Sequence, residues 1–178
     1  MTRTDLPFSV AEARAFAVKA HGEQLYGQNP YVVHLDDVHD ILHEHGQPPL
    51  PTTRLVVAYL HDVVEDTPIT LDEIKTRFGD VVAGCVDLLT DGPGDSRKER
   101  KAATYTRLEA VPHDGPLHHA LVVKAADRLA NVRRSVSESN KRLFMMYQSE
   151  HTDFRAAAFR PGLVDSIWQE LDRMLRAH

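Results

Sequence analysis

The stretch Leu60-His61-Asp62-Val63-Val64-Glu65-Asp66-Thr67 decides the reading of this chain. It follows an apolar run, Leu55–Leu60, that is hydrophobic all round, as in a helix buried in a core. At the end of that run stand two potential metal ligands, His61 and Asp62. One helical turn later come two more carboxylates, Glu65 and Asp66. Residues four apart share a helix face, which places His61 over Glu65 and Asp62 over Asp66. Four ionisable groups at the end of a buried helix are costly to desolvate without compensation, and a divalent cation is the simplest compensator. The competing reading is a surface helix end that happens to be acidic.

A second polar arrangement lies in Leu121–Arg133. Lys124, Asp127, Arg128 and Asn131 fall at i, i+3, i+4 and i+7, one narrow stripe on an otherwise apolar helix. Such a helix is either buried with its stripe facing a cavity or on the surface with a thin wet face. The need of the first cluster for further ligands favours the cavity. Catalytic metal sites use three or four protein ligands, and Asp127 supplies a carboxylate from a separate helix. His34 is a further candidate, just after Pro30–Tyr31. By itself, a histidine there reads as a helix-end residue. His39 and His43 share a face with Asp36 and Asp40 and read as solvated. His118 and His119 read as an exposed helix start, and His21 as a structural residue or a support for the site.

Outward from these segments the pattern is helical almost throughout, with no period-two strand and no repeat. Ser9 and Glu12 form a capping-box pair that starts a helix running to about His21, and Thr70 and Glu73 start another through about Leu89. Further helices are predicted at about His34–Glu44, Thr53–Val64, Arg97–Ala110, Leu117–Ser135 and Leu163–Ala177. Loops are predicted at Tyr26–Pro30, Gly46–Pro51, Asp91–Ser96 and Pro112–Pro116. None of them reads as a flexible linker, so 1–178 is expected to be a single domain of the all-α class.

Composition sets the outer limits. A formal charge of −5 argues against a nucleic-acid-binding module. No apolar run approaches the ~18 residues of a membrane span, and the first residues carry no apolar signal region. The single cysteine, Cys85, sits among valines and reads as a small buried hydrophobe. These features fit a cytoplasmic setting.

The motifs also resemble a known family. Pro30–His34, Ala58–Thr67, Phe78–Asp91 and Lys124–Arg133 closely resemble segments of the RelA/SpoT-family hydrolase domain, which lies within the HD-domain metal-dependent phosphohydrolases. The resemblance covers about residues 10 to 175. It implies an HD-domain helical bundle, a stand-alone hydrolase of the alarmones ppGpp and pppGpp, and a small phosphorylated nucleotide as partner. It implies His34, His61, Asp62 and Asp127 as ligands of a divalent ion, usually manganese. Glu65 and Asp66 would position or deprotonate the attacking water, and Lys124 and Asn131 would line the substrate pocket.

Two departures stand out. The family has a Gln-x-Arg-Lys-like run whose basic residues contact the nucleotide. Here the run is Gln24-Leu25-Tyr26-Gly27, about one residue shorter and without the arginine. Tyr26 is expected to offer an aromatic face to a base instead. Leu35 stands where the family has proline. Arg97, Lys98, Arg100 and Lys101 read either as a phosphate-facing cluster or as a solvated helix start, and Arg128 and Arg133 as structural ion-pair donors. Two other functions stay open: hydrolysis of a different nucleotide, such as a 3′-phosphorylated dinucleotide, and alarmone binding without cleavage. The sequence sets no oligomeric state.

Overall fold

The computed structural model describes residues 8–176; the polar start of the chain and Ala177, the expected end of the last helix, lie outside these. The elements are α1 (Val10–His21), β1 (Leu25–Tyr26), β2 (Asn29–Pro30), α2 (Val32–His45), α3 (Thr52–Leu60), α4 (Val63–Asp66), α5 (Leu71–Leu89), α6 (Arg97–Glu109), α7 (His118–Ser137), α8 (Lys141–Ala158) and α9 (Asp165–Met174). The all-α expectation holds, with one two-stranded antiparallel ladder added.

Both expected capping boxes form. The Ser9 side chain accepts from the Glu12 backbone while Glu12 reaches back, and Thr70 and Glu73 do the same for α5. Ser96 and Glu99 form a third at the start of α6. Each satisfies backbone donors that a helix start leaves bare.

α7 is the central element, packing against α2, α3, α5, α8 and α9. Its apolar residues Leu121, Val122, Val123, Ala125, Ala126, Leu129 and Val132 are all buried. α3 lies against it, and every residue from Leu55 to Leu60 is buried, as its all-round apolarity requires. The buried hydrophobic residues, Ala157 apart, join in one cluster to which every helix from α1 to α9 contributes. Arg133, on α7, bonds both oxygens of Glu44 (2.7 and 2.9 Å) and both of Glu170 (2.7 and 2.9 Å), tying α2 and α9 to the central helix. It is the structural ion-pair donor the sequence suggested. Cys85 is buried, and burial pushes its thiol up to about 12.

Four expectations are corrected. The helix predicted over Thr53–Val64 is not continuous. α3 ends at Leu60, Asp62 turns to φ −102° and ψ −4°, and one turn, α4, follows. The bend is closed by His61, whose Nδ1 lies 2.8 Å from the Ala58 carbonyl oxygen, so the ring folds back on the last turn of α3. The predicted loop at Tyr26–Pro30 holds the ladder, with Leu25 opposite Pro30 and Tyr26 opposite Asn29. Its turn needs Gly27: φ is +64°, and a β-carbon there would lie 2.5 Å from the Arg134 guanidinium. His118 and His119 are half-buried rather than exposed, and burial takes His119 down to about 4. Asp36 is likewise not simply solvated, since Arg14 grips both its oxygens (2.8 and 2.7 Å) and the Tyr59 hydroxyl donates to it (3.0 Å).

Because α7 meets so many neighbours, a cavity in its buried face cannot be filled by small shifts. Leu129→Ala is expected to cost about 2–5 kcal/mol in urea unfolding, with no loss of α-helical circular dichroism in the native state.

Candidate metal centre

The bend between α3 and α4 carries His61 and Asp62 into the interior, where they meet His34 from the first turn of α2 and Asp127 from the middle of α7. His61 Nε2 lies 3.0 Å from Asp62 Oδ2 and 3.8 Å from Asp127 Oδ1. His34 Nε2 lies 3.3 Å from Asp127 Oδ1 and 3.6 Å from Asp62 Oδ2. The imidazoles are buried and the carboxylate side chains are 17 % and 14 % exposed. The four candidate ligands named from the sequence thus converge from three elements on one point.

This donor set fits a divalent cation. The Ala58 carbonyl accepts from His61 Nδ1, which places a proton on that nitrogen and turns Nε2 toward the carboxylates as the ligating atom. His61 Nε2 is buried and has no hydrogen-bond partner among the described residues. Two imidazole nitrogens with two carboxylate oxygens suit several first-row divalent ions. The same field shows in the titration of its members. Burial opposes a charged His34, yet Asp127 and Asp62 outweigh it and raise the ring to about 9. Burial likewise opposes charge on Asp62 and Asp127. The two histidines hold Asp62 well below the usual carboxylate range; Lys124, with the same histidines, does so for Asp127.

Each carboxylate around this point is gripped by a dedicated donor. The Tyr31 hydroxyl donates to Asp62 Oδ2 (2.6 Å). Asn131 Nδ2 donates to Asp127 Oδ1 (2.6 Å). Gln24 Nε2 donates to Asp66 Oδ2 (2.9 Å), and the Asp91 backbone N–H donates to Glu65 Oε2 (2.8 Å). Burial raises the Glu65 carboxyl, the Asp91 N–H opposing it.

The cavity beside the cluster measures about 180 Å³ and is lined by all four stripe residues of α7, by Glu65 and Asp66, and by Arg97 and Lys101. The stripe therefore faces a cavity, as the cluster's need for ligands suggested. Lys124 is buried with Nζ 3.4 Å from Asp127 Oδ2, and Asp127, Asp62 and Glu65 keep it charged against desolvation. Of the basic run on α6, only Arg97 and Lys101 reach this lining. Lys98 faces the neighbouring groove between α6 and α8, and Arg100 turns to Asp91. Arg128 is the ion-pair donor expected, with Glu150 at 3.1 Å, and it lines the cavity as well.

Tyr26 lines the same cavity, as expected of a residue beside the substrate, and is partly buried. Its hydroxyl donates to Asn131 Oδ1 (2.5 Å), the Arg134 guanidinium sits 4.0 Å from the ring centre, and the His34 ring lies 4.6 Å away. Through the bond to Asn131 it braces the residue that braces Asp127. Tyr147, from α8, also lines the cavity, and no spacing in the sequence marked it.

A family model described as HD domain matches residues 13–150. The chain belongs to the HD-domain family. That family implies a divalent metal in the His/Asp cluster just described. This HD domain is 40% identical over 129 residues to the human protein named guanosine-3′,5′-bis(diphosphate) 3′-pyrophosphohydrolase MESH1, covering 68% of this chain and 66% of the relative. It is 34% identical over 125 residues to the guanosine-3′,5′-bis(diphosphate) 3′-pyrophosphohydrolase of Aquifex aeolicus, covering 70% of this chain and 17% of that longer protein. The HD domain thus spans slightly under two thirds of the human relative. Its fold matches a solved structure described as a metazoan ortholog of SpoT that hydrolyzes ppGpp, with a TM-score of 0.73 over 97% of both chains; at 24% identity the likeness is one of fold.

Asp127→Ala is expected to weaken Mn²⁺ binding more than about 100-fold in calorimetry. Tyr31→Phe, which removes only the donor to Asp62, is expected to weaken it about 10-fold.

Proposed function

We propose that this HD domain hydrolyses the 3′-pyrophosphate of guanosine alarmones, converting ppGpp to GDP, and pppGpp to GTP, with release of pyrophosphate. One observation carries the reading: a metal-fitting group of His34, His61 and Asp127, with Asp62 against both imidazoles, borders a small cavity lined also by the carboxylates Glu65 and Asp66 and by the cations Lys124, Arg97, Lys101 and Arg128. The names of the human and Aquifex relatives supply the substrate class. His34, His61, Asp62 and Asp127 would hold the divalent ion, manganese in this reading, which would supply Lewis acidity at the phosphoryl group when bound.

The chain's own residues do the rest. Glu65 and Asp66 orient the attacking water and accept its proton. The two are held differently, Glu65 by a backbone N–H and Asp66 by a side-chain amide, so their orientations are set independently. Lys124 is fixed beside Asp127 and offsets charge on the phosphoryl group under attack. Arg97 and Lys101 lie at the border with the α6–α8 groove, where the remaining phosphates of a bis(diphosphate) have room. The reading treats 1–178 as one hydrolase unit working in the cytoplasm. No helix among the described residues is long and apolar enough to cross a membrane.

A second reading keeps the chemistry and changes the nucleotide. It is favoured by Tyr26, which stands in the run where the resembled family is expected to carry arginine and which supplies no guanidinium of its own. Binding without cleavage is disfavoured, because such a protein has no use for Glu65 and Asp66 beside the metal ligands.

Manganese-dependent turnover is the test, with ppGpp beside GDP, GTP and a 3′-phosphorylated dinucleotide and products separated by chromatography. GDP and pyrophosphate are expected from ppGpp alone; cleavage only of another nucleotide moves the assignment to the second reading. Glu65→Gln is expected to lower kcat about 10²–10⁴-fold while Mn²⁺ affinity is retained, and normal turnover by that variant would remove Glu65 from the mechanism.

A further inference from the structure

The end of α1 contributes a pair of side chains that no part of the mechanism above uses. His21 is the last residue of α1, 7% exposed, and Gly22 at φ +54° turns the chain away behind it. His21 Nδ1 lies 2.8 Å from Gln24 Oε1, and Gln24 Nε2 lies 2.9 Å from Asp66 Oδ2. The direction of this chain is forced by chemistry. An ionised carboxylate only accepts, so Gln24 must turn its NH₂ to Asp66 and its carbonyl to His21. That carbonyl also only accepts, so His21 must carry its proton on Nδ1. His21 Nε2 is buried without a partner among the described residues, which suits a bare nitrogen and not an N–H.

The same ring has a second contact. His21 stacks on Tyr31 at 4.3 Å between ring centres and 17° between planes, and the Tyr31 hydroxyl donates to Asp62. One imidazole at the end of α1 thus backs two routes into the site, one ending on a metal-ligand carboxylate and one on Asp66. The routes differ in kind. Stacking on Tyr31 is nondirectional, while the bond through Gln24 selects one rotamer of Asp66 and leaves Oδ1 as the oxygen without this donor.

We propose that His21 and Gln24 are a positioning pair that fixes the Asp66 carboxylate toward the attacking water, acting on turnover and not on metal or substrate affinity. This rests on the hydrolase reading given above for Glu65 and Asp66.

The test is a double-mutant cycle with two readouts. Gln24→Leu is expected to lower kcat about 10–100-fold. KM and Mn²⁺ affinity should stay within about twofold. His21→Phe, which keeps an aromatic ring on Tyr31 but removes the donor, should match it. Gln24→Leu combined with Asp66→Asn should be no slower than Asp66→Asn alone within about twofold, because the pair acts only through that carboxylate. Multiplying losses, or a change confined to KM or metal affinity, would overturn the proposal. ¹⁵N-histidine spectra provide a readout free of turnover: His21 should be the Nδ1–H tautomer in the unsubstituted protein and lose that preference in Gln24→Leu. If the unsubstituted protein cleaves no nucleotide, the hydrolase reading fails by itself. An unchanged His21 tautomer in Gln24→Leu would then overturn the pair independently.

Discussion

Two carboxylates and two imidazoles in the interior, each imidazole within 4 Å of both carboxylates, are the constraint around which this protein is arranged. Such a cluster is unfavourable in a low-dielectric setting unless every member is compensated. The histidines are compensated by the carboxylates, and Asp62 and Asp127, like Glu65 and Asp66 beside them, each have a further hydrogen-bond donor. The donors come from the β1–β2 region through Gln24, from the start of α2 through Tyr31, from α7 through Asn131 and from the loop after α5 through the Asp91 N–H. Much of what looks irregular here, including the broken α3–α4 helix and the two-residue strands, sits where one of these groups is delivered.

The framework behind the cluster is apolar and conventional. α3 and α7 are the two most buried helices, and they carry three of the four candidate ligands at or next to their ends or midpoints. A rigid packed helix holds a side chain more closely than a loop does, and the ligands that act on charge need that rigidity. Arg133 serves the same end from the other side of α7. Its bonds to Glu44 and Glu170 fix the angle at which α2 approaches, and α2 is the helix that carries His34.

How much of this the sequence reveals depends on how local the cause is. The burial of α3 and the cavity-facing stripe of α7 are legible because each is a pattern within one element. The capping boxes at Ser9 and Thr70 are legible for the same reason. The break at His61 is not, since neither His61 nor Asp62 is a helix breaker. The bend follows from a side chain folding back on Ala58, which no propensity encodes. The ladder at Leu25–Pro30 is too short for alternation to show. The contact of Tyr26 with Arg134, 108 positions away, is equally hidden, because its sequence neighbours say nothing of that residue. Arg97 and Lys101 could not be separated from Lys98 and Arg100 by composition; only the packing of α6 on α8 does so.

The α7 stripe has a consequence for what the site can adapt to. Lys124, Asp127, Arg128 and Asn131 ride on a single regular helix, so their spacing along the axis follows the helical rise, about 10 Å from first to last. None of the intervals can be lengthened without shifting the buried residues between them. The stripe is therefore a fixed rule against which a ligand is measured. Loops and the α6 face can vary to admit different groups beyond its two ends, but what lies alongside it must keep one length.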